Sequence, residues 1–238
     1  MVIRAYPVAN KQKAVDICHA FAEGAPRDSF AAVFYGVNES NVRDWRRVMA
    51  SGEPWFYIDN SYFDKTRGTY FRVAKNRVQV NPAGIPSDGK RFDALGLTIA
   101  PMNARPSDLW IVIEQSPSFM RYVANDEHWL EQAMVVIPRG HHIKVRRWSP
   151  DKPKQQATLP ADLTEAWTLV THSSAAAVTA ALMGVPAVVS PMSAMYHCRW
   201  ASDPKFDQRR DFLNVLADNQ WTLDEIRAGK AWRWLNEA

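Results

Sequence analysis

Two adjacent serines stand in a turn between an apolar segment and a helix-forming segment, where their hydroxyl groups suit anion binding. The apolar run Trp167–Thr171 predicts a short strand, and Ser173 or Ser174 can cap the helix that follows. The first N–H groups of such a helix bind phosphate well. Gly184 predicts the end of the helix, before a second buried strand at Ala187–Val189. The spacing therefore predicts a βαβ unit with a phosphate site, although a tightly packed βαβ unit without a ligand has the same pattern.

The residues of this unit resemble a known family of enzymes. The segments Thr171-His-Ser-Ser174 and Ala181-Leu-Met-Gly-Val-Pro186 are similar to the donor-binding half of GT-B glycosyltransferases, particularly those related to capsular-polysaccharide and sialic-acid-type transferases. In that family the Ser-Ser turn and the helix end hold a sugar nucleotide. The resemblance implies an α/β, GT-B-like fold of two compact Rossmann-like parallel-sheet domains facing a cleft. It also implies a hexosyltransferase-type enzyme that uses a nucleoside-diphosphate sugar, with a UDP-sugar expected, and that needs no cofactor and no metal.

Further candidate donor-binding residues lie where the predicted strands of the second half end. Arg146 lies in a predicted strand at Ile143–Trp148 and Lys152 follows in its loop, so both could contact the diphosphate. A solvated basic strand end is the alternative. Polar residues after the preceding strand could line the sugar pocket or cap a helix, and the histidine of the anion turn could donate to a phosphate or be structural. These residues are Gln115, Ser116, Ser118 and His172.

Composition excludes several classes of protein. Of the 238 residues, 47% are hydrophobic and 23% are charged, which predicts a folded core rather than a disordered chain. Cys18 and Cys198 lack a CxxC or zinc-type spacing, which argues against a disulfide scaffold or a structural metal and favours a reducing cytoplasm. We find no charged leader before an apolar stretch and no apolar run of bilayer length. The prediction is a soluble protein without a membrane partner.

The first half of the chain predicts the alternation βαβαβ. Strands are expected at Val2–Tyr6, Ala31–Tyr35 and Pro54–Asp59, with helices at Lys11–Glu23 and Ser40–Ala50. Right-handed crossovers would place these strands in an open parallel sheet. The loops at the carboxyl ends of the strands would then form the binding edge.

The second half repeats the alternation. Beyond the strands already named, we expect a strand at Leu109–Ile113 and helices at Asp126–Ile137 and Leu159–Ala166. Proline and glycine are frequent before this half, and the connection between domains is placed near Ala100–Ser107. The sequence thus predicts an acceptor-side domain at 1–103 and a sugar-nucleotide-binding domain at 104–238 that ends in a helical tail.

Asp59 is the candidate general base. It ends a predicted strand whose apolar residues would fix its backbone while its carboxylate projects from the sheet. A carboxylate in such a place can accept the proton of an attacking hydroxyl, as inverting transfer requires opposite a leaving diphosphate. A strand-ending Asp-Asn is also a common turn former. Asp64 is the second choice for the same role.

Basic and aromatic residues are interleaved between residues 65 and 91. This range holds seven lysines or arginines against the single acid Asp88, an excess larger than the net charge of +4 for the whole chain. Cations among aromatic rings are typical of a nucleic-acid groove, although a basic surface whose aromatics face the core has the same composition. The candidate nucleic-acid contacts are Lys65, Arg67, Tyr70, Arg72, Lys75 and Arg77.

A second resemblance suggests the acceptor. Residues 57–63, 70–76 and 220–232 are similar to a group of bacteriophage proteins found with DNA-modification genes. This resemblance implies transfer of the sugar to a hydroxymethylated pyrimidine in double-stranded phage DNA, inside the host cytoplasm, with a first-domain aspartate as base. Two alternatives stay open: a transferase for a cell-surface glycan, and a non-catalytic nucleic-acid-binding protein on a degenerate GT-B fold.

Overall fold

The computed structural model describes residues 3–63, 69–102, 107–149, 158–200 and 205–237. The chain forms two compact units: the first comprises residues 1–80 and 216–238, and the second comprises residues 81–215. This division differs from the boundary predicted near residue 103. Residues 81–103 belong to the second unit, and the C-terminal segment belongs to the first.

The helices and strands alternate along most of the chain. In order, they are β1 (Arg4–Pro7), α1 (Gln12–Gly24), β2 (Ala32–Tyr35), α2 (Val42–Ser51), β3 (Trp55–Asn60), β4 (Tyr70–Lys75), α3 (Lys90–Ala94), β5 (Leu109–Ile113), α4 (Pro117–Phe119) with a π-helical turn (Met120–Ala124), α5 (Trp129–Val135), β6 (His142–Arg146), α6 (Leu159–Leu163), β7 (Thr168–Thr171), α7 (Ala176–Leu182), β8 (Ala187–Val189), α8 (Arg209–Asp218), β9 (Gln220–Thr222), α9 (Leu223–Arg227) and α10 (Lys230–Glu237).

The first unit contains a mixed sheet with the strand order β1-β2-β3-β4-β9. β1, β2 and β3 are parallel, as predicted, but β4 runs antiparallel to β3 and β9 runs antiparallel to β4. The three strands expected in this unit are thus parallel as predicted, and the sheet is mixed because it also contains β4 and β9. Only residues 61–69 connect β3 to β4, which is too short for a crossover helix, so the chain returns antiparallel.

The second unit contains a wholly parallel sheet with the order β6-β5-β7-β8. β5 and β8 have the bounds that the sequence predicted, whereas β6 ends two residues earlier, at Arg146. The helix predicted at Asp126–Ile137 is confined to Trp129–Val135. Strands β5 and β7 are central and buried, so their carboxyl ends lie side by side at one edge of the sheet.

The C-terminal segment joins the first unit through aromatic packing. Trp221 of β9 is buried, and the ring of Trp232 lies 5.0 Å from Phe56 and 5.9 Å from Phe21, centroid to centroid. The capping box of Thr222 and Glu225 starts α9 next to this core, confirming the predicted helix start at Thr222. This apolar burial explains why the tail packs with residues 1–80.

Residues before β5 are tied to the second unit by hydrogen bonds. The N–H of Ala100 donates to the carbonyl of Leu182 at 2.7 Å. The buried guanidinium of Arg209 donates to the carbonyls of Ala100 at 2.9 Å and Ala181 at 2.8 Å. Arg209 thus links the segment at Ala100 to the last turn of α7.

None of the helices in the described ranges is long and apolar enough to cross a bilayer.

Candidate functional site

The turn after β7 combines a buried and a partly exposed serine. Ser173 is buried, whereas Ser174 is partly exposed and its Oγ accepts a hydrogen bond from the N–H of Ala176 at 3.1 Å. Ser174 is therefore the serine that engages the start of α7, as the sequence analysis allowed. Its hydroxyl keeps a donor proton that could reach an anion.

His172 lies in an aromatic environment at the same turn. Its Nδ1 is 3.1 Å from Ser173 Oγ, and its ring meets Phe119 and Trp129 edge-on at centroid distances of 6.0 and 5.9 Å. Burial lowers the pKa of His172, and the nearby Asp126 carboxylate opposes this only in part. A neutral imidazole at pH 7 can orient the Ser173 hydroxyl, but it is not a positive charge ready for a phosphate.

The end of β5 supplies polar groups next to this turn. Gln115 Nε2 donates to Thr171 Oγ1 at 3.0 Å, which links the carboxyl ends of β5 and β7. Ser116 caps α4, since its Oγ accepts from the N–H of Phe119 at 3.3 Å. Ser118 is a partly buried residue of α4. The structure brings Gln115 and His172 to neighbouring strand ends, and it uses Ser116 as a helix cap.

Arg146 is engaged with an acid that the sequence analysis missed. Asp162 of α6 is buried, accepts from Lys144 Nζ at 2.8 Å and forms an ion pair with Arg146. Burial by itself raises the pKa of Asp162, but the hydrogen bonds from Lys144 and Arg146 outweigh it, so the pKa is lowered. Some of the N–H groups of Arg146 are therefore already bonded to Asp162 within the second unit. Lys152 lies outside the described residues.

Glu114 is a second acid that was not predicted. Its carboxylate accepts from the N–H of Trp148 at 2.8 Å and pairs with Arg147 at 3.2 Å. These contacts fix the loop after β6 against the end of β5. The polar residues around the β5, β6 and β7 ends are thus held by one another, which gives the edge a defined geometry.

Asp59 lies near the carboxyl end of β3, as predicted, but both of its oxygens have partners. Oδ2 lies 2.5 Å from Nη2 of Arg72, and Oδ1 accepts from the N–H of Asn60 at 2.7 Å. The Asp59 side chain remains 34% exposed. Each carboxylate oxygen can accept more than one hydrogen bond, so Asp59 keeps acceptor capacity toward solvent.

Arg72 is a buried residue and not an exposed nucleic-acid contact. Its guanidinium stacks over Tyr62 at 5.1 Å, and its Nε has no hydrogen-bond partner. Burial alone would lower the pKa of Arg72, but Asp59, Tyr62 and Tyr57 raise it overall. The cation is therefore held in the interior by the Asp59 carboxylate.

The other predicted nucleic-acid contacts are divided between different surfaces. Side chains alternate across a strand, so Tyr70 and Arg72 face one side of β4 and Lys75 faces the other, where its Nζ donates to Asn236 at 2.6 Å. Arg77 is exposed beyond the strand, and Lys65 and Arg67 lie outside the described residues. The described members do not share one face, which gives a nucleic-acid groove no support.

Three further side chains meet beside Asp59 and escaped the sequence analysis. Lys13 Nζ and the Tyr35 hydroxyl both donate to Oδ1 of Asn60, each at 3.1 Å. Lys13 belongs to α1, and the other two residues end β2 and β3. The sequence shows that a polar residue, Asn60, follows Asp59 at the end of the strand. It does not show the partners of Asn60, because these depend on how α1 packs on the sheet.

No group of three or more histidine, cysteine or carboxylate side chains in the described residues is placed to hold a metal ion.

Comparison with known proteins concerns the fold. A scan against protein-family models and a search of curated proteins give no match. Among solved structures, Thermosulfurimonas dismutans KpsC, a beta Kdo 2,4 transferase, is similar with a TM-score of 0.51 and 11% identity over 83% of each chain. A KpsC beta Kdo 2,7 transferase structure of that organism has a TM-score of 0.50 and 11% identity over 94% of this chain and 90% of that one. At this identity the likeness is one of fold, and it confirms the predicted GT-B-like α/β class with two Rossmann-like units.

Proposed function

We propose that this chain is a glycosyltransferase that moves a sugar from a nucleotide-activated donor to a cell-surface glycan. The supporting observation is the likeness of fold to two Kdo transferases, which extends over 83% and 94% of the chain and so includes much of both units. Capsular-polysaccharide-type transferases were also the family that the Ser-Ser turn resembles. Two independent features, a short motif and the whole fold, thus favour the same class.

The second unit would bind the donor. Parallel α/β sheets bind nucleotides at the carboxyl ends of their strands. At that edge His172 and Ser174 lie in the turn between β7 and α7, and Gln115 follows the end of the neighbouring strand β5. A UDP-sugar is the donor we propose to test first, with Arg146 and Lys152 as further phosphate contacts and Ser116 and Ser118 nearer the sugar.

The first unit would bind the acceptor, with Asp59 as the general base. In the proposed step a hydroxyl oxygen of the acceptor forms a bond to the anomeric carbon of the donor sugar, and its proton passes to Asp59. The bond from the anomeric carbon to the phosphate oxygen breaks, and the electron pair leaves with the nucleotide. The exposed part of the Asp59 carboxylate supports this role, since it can receive a proton from a bound hydroxyl.

A glycan acceptor has more support than the modified pyrimidine that the sequence suggested. The similar solved structures are Kdo transferases. Arg72, central to the predicted DNA surface, is instead buried against Asp59. DNA is therefore included in the experiment as an alternative acceptor, but it is not the acceptor that we propose.

The experiment presents the intact protein with activated Kdo and a panel of UDP- and GDP-sugars. The acceptors are capsular-type oligosaccharides, Kdo-terminated oligosaccharides, and DNA with or without hydroxymethylated pyrimidines. Mass spectrometry of the acceptors identifies the donor and the acceptor together. A mass gain on a glycan is expected; a gain on DNA alone, or none on any acceptor, would contradict the proposal.

Two variants and a matched control test the role of Asp59. Asp59→Asn should reduce transfer by about 100-fold or more while donor binding persists. The double variant Asp59→Asn with Arg72→Met removes the base without leaving a buried cation, so it serves if the single variant folds poorly. Asp16→Asn changes an exposed carboxylate of α1, which accepts from Gln12 at 2.7 Å, and should transfer normally.

A further inference from the structure

A lysine, a tyrosine and an asparagine converge at the carboxyl edge of the first sheet. The ammonium of Lys13 and the hydroxyl of Tyr35 donate to one atom, Oδ1 of Asn60, and both distances are 3.1 Å. Three separate elements supply these residues: α1, β2 and β3. Two hydrogen-bond donors from different elements therefore share one acceptor atom.

The oxygen at this point is a poor match for the donors around it. An amide oxygen is neutral, whereas a carboxylate or phosphate oxygen carries negative charge that attracts an ammonium in addition to the hydrogen bond. Within the part of the chain that the structure describes, no carboxylate forms an ion pair with Lys13. The adjacent Asp59 is paired with Arg72, so Lys13, Arg72 and Asp59 together leave an excess of one positive charge.

The donors are held in place by an aromatic ring. Lys13 Nζ lies 4.9 Å from the centroid of Phe71, within the range of a cation–π contact, and the rings of Tyr35 and Phe71 meet edge-on at 6.4 Å. Phe71 is opposite Asn60 in the register of β3 and β4. The Phe71 ring thus contacts both the Lys13 ammonium and the Tyr35 ring.

Tyr35 is a donor over the whole physiological pH range. Burial, followed by the Asp59 carboxylate, raises the pKa of Tyr35 above its ordinary value. The hydroxyl therefore stays protonated and offers its hydrogen to an anion. Asn60 is exposed, so its side chain can turn away to solvent when a stronger acceptor arrives.

We propose that Lys13 and Tyr35 form a subsite for an oxyanion, a carboxylate or a phosphate, on the acceptor substrate, in which a ligand oxygen replaces Oδ1 of Asn60. Its assignment to the acceptor rests on the proposed function, because the subsite adjoins Asp59 in the unit assigned to the acceptor. The oxyanion subsite itself rests only on the contacts of Lys13, Tyr35, Asn60 and Phe71. An acidic sugar, or a sugar phosphate, carries the required group.

The test measures binding to the intact protein by titration calorimetry, without any transfer. The probes are glucuronate, glucose 6-phosphate and neutral glucose. We expect both anions to bind more tightly than glucose, and the stronger of the two identifies the group that the subsite prefers. Equal affinity for glucose and for the anions would overturn the proposal.

Single substitutions then locate the binding. Lys13→Met should weaken anion binding by about 10-fold or more, because it removes both a positive charge and its hydrogen bond to the anion. Tyr35→Phe should weaken it by about 5-fold, because it removes only the hydrogen bond from an uncharged hydroxyl. Lys230→Met is the matched control, since this exposed lysine pairs with Glu225 on the C-terminal segment, and it should bind like the unchanged protein. Anion binding that Lys13→Met leaves intact would refute the subsite.

The two proposals can fail separately. If no donor and acceptor give transfer but anion binding still depends on Lys13, the glycosyltransferase proposal fails and the subsite stands. If transfer occurs and Lys13→Met changes neither anion binding nor the KM for an acidic acceptor, the subsite fails and the transferase stands.

Discussion

Arg72 and Asp59 are direct cross-strand partners in the antiparallel pair of β4 and β3, and their side chains form an ion pair at 2.5 Å. The two side chains differ in exposure, at 10% for Arg72 and 34% for Asp59. Asp59 can therefore be hydrated if its partner is lost, but Arg72 cannot. This asymmetry links the stability of the first unit to the residue proposed as its catalytic base.

Asp59→Asn should lower the free energy of unfolding by about 3 kcal/mol, because it leaves a buried cation without an anion. Arg72→Met should cost less, about 1 to 2 kcal/mol, because the remaining carboxylate reaches water and the methionine keeps the apolar stem. Urea unfolding followed by circular dichroism measures both values.

The double variant Asp59→Asn with Arg72→Met tests whether loss of the ion pair causes these losses of stability. Replacing both residues leaves no uncompensated charge, so its loss of stability should be smaller than the sum of the two single losses. Strictly additive losses would show that the two side chains are not energetically coupled.

Gly24 and Gly229 approach each other so closely that neither tolerates a side chain. A Cβ at Gly24 would lie 2.3 Å from the carbonyl oxygen of Ile226 and 2.8 Å from the nitrogen of Gly229. Because all of these neighbours are backbone, Gly24→Ala must push α9 away from α1. We expect a loss of about 3 kcal/mol or more in the free energy of unfolding, comparable to other severe packing faults.

Gly52→Ala is the matched control for this prediction. Gly52 has a φ of +68° but nothing within 4 Å of an added Cβ, so alanine there meets only the conformational cost of about 1 kcal/mol. Thermal unfolding of the two variants side by side separates steric exclusion from backbone strain. A Gly24→Ala protein as stable as Gly52→Ala would contradict the close approach of α1 and α9.

The sequence predicts local elements better than it predicts long-range partners. The helix-starting turn at Ser174 and strand β5 could be predicted from short patterns, because caps and apolar runs are local. The antiparallel return of β4 was missed because the interleaved cations suggested a surface, and nothing local shows that Arg72 will be buried against Asp59. Asp162 was missed for the same reason, since its contact with Arg146 joins two elements 16 residues apart.

The C-terminal segment is also an element whose local structure could be predicted but whose packing partners could not. Its helix start at Thr222 follows from a local capping box. Its place in the first unit depends on Trp232 meeting Phe21 and Phe56, which are about 200 residues away along the chain. Sequence periodicity identifies an amphipathic helix, but it does not say which apolar surface that helix covers.

Both cysteines should be unreactive in the folded protein. Burial raises the pKa of Cys18 and of Cys198 to about 12 in each case, so almost no thiolate is present at pH 8. Since the thiolate is the nucleophile, iodoacetamide should label neither residue until urea unfolds the chain, and labelling should then be complete. Mass spectrometry with and without urea measures this, and rapid labelling of either cysteine in buffer would contradict its burial.

His172 should make the protein less stable as the pH falls from 7 to 5. Burial lowers the pKa of this imidazole in the folded protein, whereas the unfolded chain takes up the proton near the ordinary value of about 6.5. Between the folded and the unfolded pKa values the unfolded state binds more protons, so stability rises with pH there and levels off above the unfolded value. The slope contributed by this group can reach about 1.4 kcal/mol per pH unit.

Substitution of His172 tests whether this residue contributes to the pH dependence of the free energy of unfolding. His172→Gln removes the titrating group from between Phe119 and Trp129, so its free energy of unfolding should change less between pH 7 and pH 5 than that of the unchanged protein. His128→Gln, at an exposed position, is the control for the removal of a histidine as such. Urea midpoints at four pH values give the comparison, with His172→Asn as a second variant if the glutamine variant folds poorly. An unchanged slope in both His172 variants would show that the acid sensitivity arises elsewhere in the protein.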